Sequence, residues 1–293
     1  MDFAIPEEIQ QTLRDLDDFI ELEIRPLQAQ DDNERFFDHR REWARTDFEN
    51  DGVPRADWEE LLREMRRRAD VAGWLRLALP PEFGGRSASN LEMAIIREHL
   101  ATKGLGLFND LQNESSVVGN FPTVLMMRDF GTEEQKQLYL QPLLDGEIFS
   151  CYSMTEPQAG ADPGQFTCQA ELQGNEWVIN GEKWFASHAC VAEFLIVMCI
   201  TDPEVPVHEG STMLIVPRGT PGMEIIRNTA VGPKDVLGSG VHGYLRFSDC
   251  RVPMKNVLVR CSLKLGPNPR HSRLRASAGC PGSAVAGWWH CRR

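Results

Sequence analysis

The chain has 293 residues and a formal net charge of −12, with 43 acidic and 31 basic side chains. Hydrophobic residues make up 42% of the sequence and charged residues 25%. This composition is typical of globular proteins with a sizeable core, and it excludes disordered, collagen-like and small disulfide-stapled chains. The acidic balance argues against binding to nucleic acid, which needs a basic face. The longest apolar run, Phe194 to Ile200, is far shorter than the roughly 18 to 20 residues of a membrane-spanning helix.

The start of the chain and its cysteines indicate the compartment. Met1 to Pro6, followed by two glutamates, has the features of neither a secretory signal nor an organelle transit peptide. The eight cysteines include no C-x-x-C pair, so free thiols are predicted. Zincin, P-loop and dinucleotide-binding motifs are absent from the sequence. We therefore expect a cytoplasmic protein without a metal site.

Residues 1–147 are predicted to form an all-helical domain. Apolar residues at three- and four-residue steps indicate an amphipathic helix from Pro6 until Arg25-Pro26 disturbs the pattern. A loop with a short helix follows, and Pro54 is expected to open a second helix that extends to Ala69. After the Pro- and Gly-rich stretch 77–85, further helices are predicted from Asn90, from Val117 to Phe130, and from Thr132 as N-cap to Asp145-Gly146.

From residue 148 to 259 the pattern changes to short apolar or alternating runs, which are typical of strands. Strands are predicted at Phe149–Met154, Phe166–Leu172, Trp177–Asn180, Phe194–Ile200, Met213–Val216, Met223–Ile226 and Tyr244–Phe247. Turns are predicted between them at Gln173-Gly174-Asn175, Asn180-Gly181 and Thr220-Pro221-Gly222. Strands at this spacing predict an antiparallel β-barrel or sandwich, of which we favour the barrel. The fold class is therefore α+β.

The last 34 residues, 260–293, differ from both regions. They contain seven basic side chains and no acidic one, and they show neither helical nor strand periodicity. We interpret them as a disordered, non-native terminus. A basic interaction arm is the alternative.

Two segments of the sheet region carry candidate chemistry. From Tyr152 to Asp162 a strand runs into a loop of Pro, Gly and small residues, which can follow a flat polar ligand and its phosphates. A plain turn at the end of a strand is the alternative. From Asn180 to His188, two aromatic residues precede Ser187, so that a ring could cover a planar ligand while the hydroxyl donates to a ring nitrogen. Here the alternative is an aromatic pair in the core.

Together the two segments resemble the acyl-CoA dehydrogenase superfamily. The family pattern Y-x-x-T-E-P-x-A-G-S-D corresponds to YSMTEPQAGAD, and I-N-G-x-K-x-W-I-T-N corresponds to INGEKWFASH. Further matches occur in the family's order at Pro81 to Gly85, Gly131 to Ile148, Thr220 to Gly222 and Phe247 to Leu258. The stretch WFAS looks most similar to family members ten and eleven, which hints at a long or branched acyl group.

The resemblance implies FAD as cofactor, an acyl-CoA as substrate and an electron-transfer flavoprotein-like acceptor. The implied reaction is α,β-dehydrogenation of the thioester to a trans-2-enoyl-CoA. Carried over position by position, the resemblance places Tyr152, Met154 and Thr155 along the isoalloxazine edge. It places Phe185 over the flavin face and Ser187 at flavin N5.

One cofactor position and the catalytic residue depart from the family. Ala161 stands where the family has a serine that contacts the flavin pyrophosphate region and the acyl-CoA thioester arm, so only a backbone contact can remain. The family's catalytic glutamate and most of its oligomer interface come from a C-terminal four-helix bundle, whose expected entry is missing after Val259. Glu92, Glu98 and Glu156 do not match the catalytic position, so no catalytic residue is assigned.

We therefore expect a truncated acyl-CoA dehydrogenase that is inactive or impaired alone and does not assemble as the family does. The alternative is a non-catalytic module that binds acyl-CoA or another protein.

Overall fold

The computed structural model describes residues 4–50, 53–110, 115–229 and 242–260. Within these ranges the chain divides into two compact units. The first comprises the described residues up to 121 together with 228–229, and the second comprises residues 122–227 and 242–260. The first unit is mainly helical and the second holds a large sheet, which confirms the α+β class. No helix in the described ranges combines the length and the apolar character needed to cross a membrane.

The first helix extends past the point where the sequence pattern breaks. It comprises α-helical Glu7–Phe19, a π-helical turn at Ile20–Ile24, and α-helical Arg25–Gln28. Pro26 has no N–H to donate, and its ring would clash with the carbonyl one turn earlier in a regular α-helix. The wider π turn that precedes it accommodates the ring, so the helix continues.

Two more long helices of this unit are Ala56–Val71 and Asn90–Thr102. Pro54, which we expected to open the former, lies instead in a two-residue strand, Val53–Pro54, that pairs with Thr46–Asp47. The helix starting at Asn90 has Ser89 as its N-cap, and the Ser89 hydroxyl accepts a hydrogen bond from the Glu92 N–H. One core holds this unit together; its buried members include Leu16, Ile20, Ile24, Phe36, Trp58, Met65, Leu77, Ile96 and Phe108.

The helix predicted from Val117 is shorter than expected and begins only at Pro122. Val117 and Val118 are buried but not helical. The reason lies at Gly119, whose N–H donates to the carbonyl of Leu75 at 2.9 Å. A Cβ at Gly119 would lie 2.6 Å from that same oxygen, so this tertiary contact holds the backbone in a loop.

Among the residues that the structure describes, the large sheet has eight strands. They are β1 Ser150–Ser153, β2 Gln169–Gln173, β3 Glu176–Ser187, β4 Phe194–Ile200, β5 Ser211–Pro217, β6 Met223–Thr229, β7 His242–Pro253 and β8 Val257–Arg260. Their order is β6-β7-β3-β2-β4-β5-β8, with β1 paired to β4. The sequence predicted seven of these strands and missed β8.

The predicted antiparallel barrel is corrected by the strand pairing. In the part of the chain that the structure describes, β6 and β8 lie at opposite ends of an open sheet, and no closed barrel is formed. The sheet is also mixed, because β4 runs parallel to both β1 and β2. β1 and β2 lie one after the other along the same edge of β4, β1 opposite Phe194 to Val197 and β2 opposite Ile200, and the loop 154–168 connects them.

The predicted turn at Asn180-Gly181 is also wrong, because both residues lie inside the twelve-residue strand β3. Gly181 has φ +138°, and a Cβ there would lie 2.6 Å from the Cα of Cys168, the residue that immediately precedes β2. The glycine therefore permits close contact between two strands rather than a reversal of the chain. Gly174, in contrast, does form the predicted turn between β2 and β3, with φ +64°.

Two further helices pack within the second unit. One is Pro122–Phe130; the other, 133–144, starts with a capping box in which Thr132 and Gln135 exchange hydrogen bonds. The Gln135 side chain also donates to the carbonyls of Lys255 and Val257, at 3.0 and 3.2 Å. These helices thus contact the sheet within one compact unit, although the sequence groups them with the helical region. The division into domains at residue 147 stays a prediction.

The predicted basic tail falls almost wholly outside the described residues. Its first member, Arg260, ends β8 and pairs with Thr212 of β5. The predicted disorder of 261–293 and the predicted absence of a C-terminal helical bundle concern residues that the structure does not describe.

Candidate functional site

The two segments singled out in the sequence meet through a buried ion pair. Lys183 of β3 places its Nζ 2.8 Å from Glu156 Oε1 and 2.8 Å from the carbonyl of Met154, in the loop that follows β1. Next to it along the chain, the Trp184 N–H donates to the carbonyl of Thr155 at 2.8 Å. The loop after β1 is therefore fixed against β3.

Glu156 is held as a carboxylate by its surroundings. It also accepts hydrogen bonds from the backbone N–H groups of Thr167 and Cys168, at 2.6 and 3.0 Å, and from the Gln158 side chain at 2.6 Å. Burial by itself raises the pKa of Glu156, but the charge of Lys183 and these hydrogen bonds outweigh it and bring the pKa below its ordinary value. The ion pair therefore acts as an internal brace of the site.

A β-bulge in β3 determines which side chains face outward. Lys183 pairs with Leu245 of β7 and Ala186 pairs with Gly243, so two residues of β3, Trp184 and Phe185, lie opposite the single residue between those partners. Phe185 has φ +53°, an uncommon conformation for a residue other than glycine. Bulges of this kind redirect side chains and occur often beside functional sites.

The consequence of the bulge follows from the alternation of a strand. Lys183 is buried, so regular alternation would turn Phe185 and Ser187 inward and Ala186 outward. With the extra residue, Ala186 is buried instead, at 1% exposure, while Phe185 is 47% exposed and Ser187 is half-buried. The bulge therefore brings an aromatic ring and a hydroxyl to the same outer face, two residues apart.

Side chains of β7 support this face from the neighbouring strand. The Tyr244 ring stacks on Trp184 with centroids 5.4 Å apart, and its hydroxyl donates to Glu182 at 2.6 Å. Arg246 donates to the same carboxylate at 3.0 Å. At the start of β7, Nδ1 of His242 lies 2.9 Å from the Ser187 hydroxyl.

The remaining predicted site residues lie in β1 and the loop after it. Met154 and Thr155 are half-buried, and their carbonyl groups accept hydrogen bonds from Lys183 Nζ and from the Trp184 N–H, respectively. Tyr152 is 40% exposed on β1. The loop then turns tightly, since Glu156 and Ala159 exchange two backbone hydrogen bonds. Ala161, just beyond, is exposed. The structure brings Met154 and Thr155 to β3, and the assigned roles of all these residues stay predictions.

Sequence reasoning missed the residues that hold the site in place. Lys183 and Glu182 stood inside a recognised segment, but the pattern gave no partner for either side chain. His242 and Tyr244 lie more than fifty residues further along the chain, and only the strand register places them opposite β3. Within the described ranges, no group of His, Cys, Asp and Glu is placed to hold a metal ion.

Comparison with known proteins identifies the family. Residues 30–147 match the acyl-CoA dehydrogenase N-terminal domain, and residues 151–250 match the acyl-CoA dehydrogenase middle domain. The chain belongs to the acyl-CoA dehydrogenase family. It is 34% identical over 233 residues to acyl-CoA dehydrogenase family member 10 of Mus musculus, covering 73% of this chain. It is 34% identical over 232 residues to family member 11 of Gallus gallus, covering 74% of this chain.

Solved acyl-CoA dehydrogenases share the fold. The crystal structure of the acyl-CoA dehydrogenase from Geobacillus kaustophilus aligns with a TM-score of 0.56 and 27% identity, covering 88% of this chain and 60% of that one. The matched region makes up 21% of the mouse protein and 28% of the chicken protein, so this acyl-CoA dehydrogenase homologue spans only a part of those relatives.

Proposed function

We propose that this chain forms the flavin-facing surface of an acyl-CoA dehydrogenase, which converts an acyl-CoA thioester to a trans-2-enoyl-CoA. In this proposal β3 and the loop after β1 hold FAD beside the acyl chain, and an electron-transfer flavoprotein-like protein accepts the electrons. One observation carries the proposal: the bulge at Phe185 turns that ring and the Ser187 hydroxyl to one outer face. Thr155 stands next to this face, at the backbone of Trp184.

The chemistry of these side chains fits a flavin. The exposed ring of Phe185 offers an apolar flat surface for one face of the isoalloxazine. The hydroxyls of Ser187 and Thr155 can each donate to the nitrogen and oxygen acceptors of its edge, and Tyr152 and Met154 extend that edge. Ala161 can contribute backbone contacts only. When bound, FAD supplies the hydride acceptor for the β-carbon, while the protein supplies orientation and excludes water.

No residue of the described chain is assigned as the base that removes the α-proton. Glu156 lies in the loop after β1, but its pKa is lowered and its oxygens are occupied by Lys183 and backbone donors. The pKa of Glu182 on β3 is lowered as well, by the hydrogen bonds from Tyr244 and Arg246. A general base works best with a pKa near the operating pH. Glu92 and Glu98 lie on the helix Asn90–Thr102 of the other unit. The part of the proposal that this structure supports is therefore flavin binding and not proton abstraction.

The test is the visible spectrum of the purified chain. The protein is expressed, purified with excess FAD and passed through gel filtration, and the flavin band that co-elutes with the protein is measured. We expect co-elution, and bleaching of the band by an acyl-CoA if a base is present. Ser187→Ala should weaken FAD binding by roughly two- to tenfold, which corresponds to one hydrogen bond. Phe185→Leu should weaken it as well, because the flat ring is lost.

Matched controls separate site effects from general damage. Ser248→Ala removes an exposed hydroxyl from β7 beside Gly181, about 20 Å along the strand from Ser187. Phe130→Leu changes another part-exposed ring, at the end of the helix Pro122–Phe130. Both should retain the FAD affinity of the unaltered chain. A folded chain that binds an acyl-CoA but no FAD would refute the proposal and favour a non-catalytic acyl-CoA-binding module.

A further inference from the structure

The hydroxyl of Ser187 has a dedicated partner on the neighbouring strand. His242 and Ser187 are directly opposite each other in the antiparallel pairing of β7 with β3. Their side chains meet at 2.9 Å between Ser187 Oγ and His242 Nδ1. Direct cross-strand pairs are the closest side-chain neighbours in a sheet, so this contact is determined by the register rather than by a flexible loop.

His242 belongs to the same outer face as the candidate site. Along β7 the inward positions Leu245 and Phe247 are buried at 0% and 2% exposure, whereas Tyr244 and Arg246 point outward. By the same alternation His242 points outward, and it is half-buried. Its ring meets Phe185 edge-on, with centroids 6.5 Å apart and an interplanar angle of 78°. One imidazole therefore contacts both Phe185 of the bulge and Ser187, two residues further along β3.

The protonation state of His242 Nδ1 determines whether the Ser187 hydroxyl accepts or donates in the hydrogen bond between them. A serine hydroxyl has one proton to donate and lone pairs to accept with, while Nδ1 of histidine either carries a proton or accepts one. If Nδ1 carries the proton and donates to Oγ, the serine proton is left for another acceptor. If Nδ1 accepts, the Ser187 hydroxyl donates its one proton to His242, and only a lone pair of Oγ remains for a ligand at the outer face.

We propose that His242 is a positioning residue whose Nδ1–H donates to Ser187 Oγ and thereby directs the Ser187 hydroxyl proton to the outer face. There the hydroxyl donates a hydrogen bond to an acceptor nitrogen of a planar heteroaromatic ligand. The proposal rests on the flavin-binding function proposed above and adds to it the group that sets the direction of the hydrogen bond. His242 itself does not touch the ligand in this arrangement; it acts through Ser187.

The first test reads the tautomer without any ligand. In the full chain labelled with ¹⁵N-histidine, two-bond proton–nitrogen spectra distinguish a protonated from an unprotonated Nδ1, and His242→Phe assigns the signals by their loss. We expect Nδ1 of His242 to be the protonated nitrogen, and Ser187→Ala to shift that nitrogen signal. An unprotonated Nδ1, or a spectrum that Ser187→Ala leaves unchanged, would overturn the proposal.

The second test asks whether the two residues act as one unit toward FAD. His242→Phe keeps an aromatic edge against Phe185 but removes the donor that orients Ser187, and it should weaken FAD binding measurably but by no more than Ser187→Ala does, that is, within the same range of roughly two- to tenfold. The double variant should be no weaker than Ser187→Ala alone, since the histidine acts only through the serine. His242→Asn, which keeps an N–H donor near the position of Nδ1, should restore most of the affinity.

These outcomes separate the two proposals. If the effects of His242→Phe and Ser187→Ala multiply in the double variant, the two residues act independently and the positioning role is wrong. If the unaltered chain binds no FAD, the proposed flavin function fails, and the ¹⁵N spectra alone decide the direction of the hydrogen bond. Thermal unfolding of each variant verifies that the altered chains are folded in these measurements.

Discussion

Lys183→Met tests the buried ion pair that joins the two segments of the site. The Lys183 and Glu156 side chains are 0% and 1% exposed, so methionine retains the apolar stem and removes only the charge and its hydrogen bonds. Removing one partner of a buried pair costs about 3–5 kcal/mol, because the other charge stays buried without compensation. Glu156 keeps its two backbone donors and Gln158, so we expect the low end, about 3 kcal/mol.

The assay is urea and thermal unfolding followed by tryptophan fluorescence, at constant protein concentration. A loss of about 3 kcal/mol in a unit of this size corresponds to a fall in Tm of about 10 °C. Lys255→Met is the matched control, because Lys255 pairs with Glu134 on the surface, where both side chains are mostly exposed. Exposed pairs contribute little to stability, so this control should unfold nearly as the unaltered chain does.

The pH dependence gives the sharper criterion. In the unaltered chain the pKa of Glu156 lies below its unfolded value, so its stabilisation is present above the unfolded pKa and is lost as the pH falls through the folded one. Burial raises the pKa of Glu156, and Lys183 is one of the groups that lower it, so the pKa of Glu156 rises when Lys183 is replaced. The stability deficit of Lys183→Met should therefore be largest at pH 7 and should narrow toward pH 5.

The double variant Lys183→Met/Glu156→Gln should regain part of the loss at pH 7, since it removes the uncompensated charge. A deficit below about 1 kcal/mol, or one that is equal at pH 7 and pH 5, would refute the reasoning that this pair is a buried brace.

Two further predictions concern the sheet. Gly181→Ala should lower the free energy of unfolding in urea by about 3 kcal/mol or more, because its Cβ would lie 2.6 Å from Cys168 Cα and φ is +138°. Gly174→Ala is the control: with φ +64° and open space around it, it should lower the free energy of unfolding by only about 1 kcal/mol. Equal losses would contradict the argument from close backbone contact. Iodoacetamide at pH 8 should alkylate half-buried Cys190 well before Cys151, because burial raises the pKa of the Cys151 thiol to about 12. Peptide mass spectrometry measures the two rates. Equal rates would contradict this prediction and show that β1 opens readily.

Local patterns predicted most of the elements but not how they pair. Phe194–Ile200 was predicted with both ends as observed, because a continuous run of buried apolar residues is a property of the strand itself. Asn180-Gly181 was misread as a turn because the same dipeptide is favoured in turns and wherever two backbones approach closely. The barrel prediction failed for a related reason: alternation predicts strands, whereas closure and direction depend on which strands pair.

The sequence by itself determined the residue types of the YSMTEPQAGAD and INGEKWFASH segments, which lie in the part of the chain that matches the acyl-CoA dehydrogenase middle domain. These properties are local, because each depends on residues within about a dozen positions. Only the tertiary structure decided which side chains act together. The Lys183–Glu156 ion pair joins residues that are 27 positions apart, and the His242–Ser187 contact joins residues that are even further apart. The bulge that turns Phe185 outward depends on the register between β3 and β7. No local pattern specifies pairing over such distances or strand register.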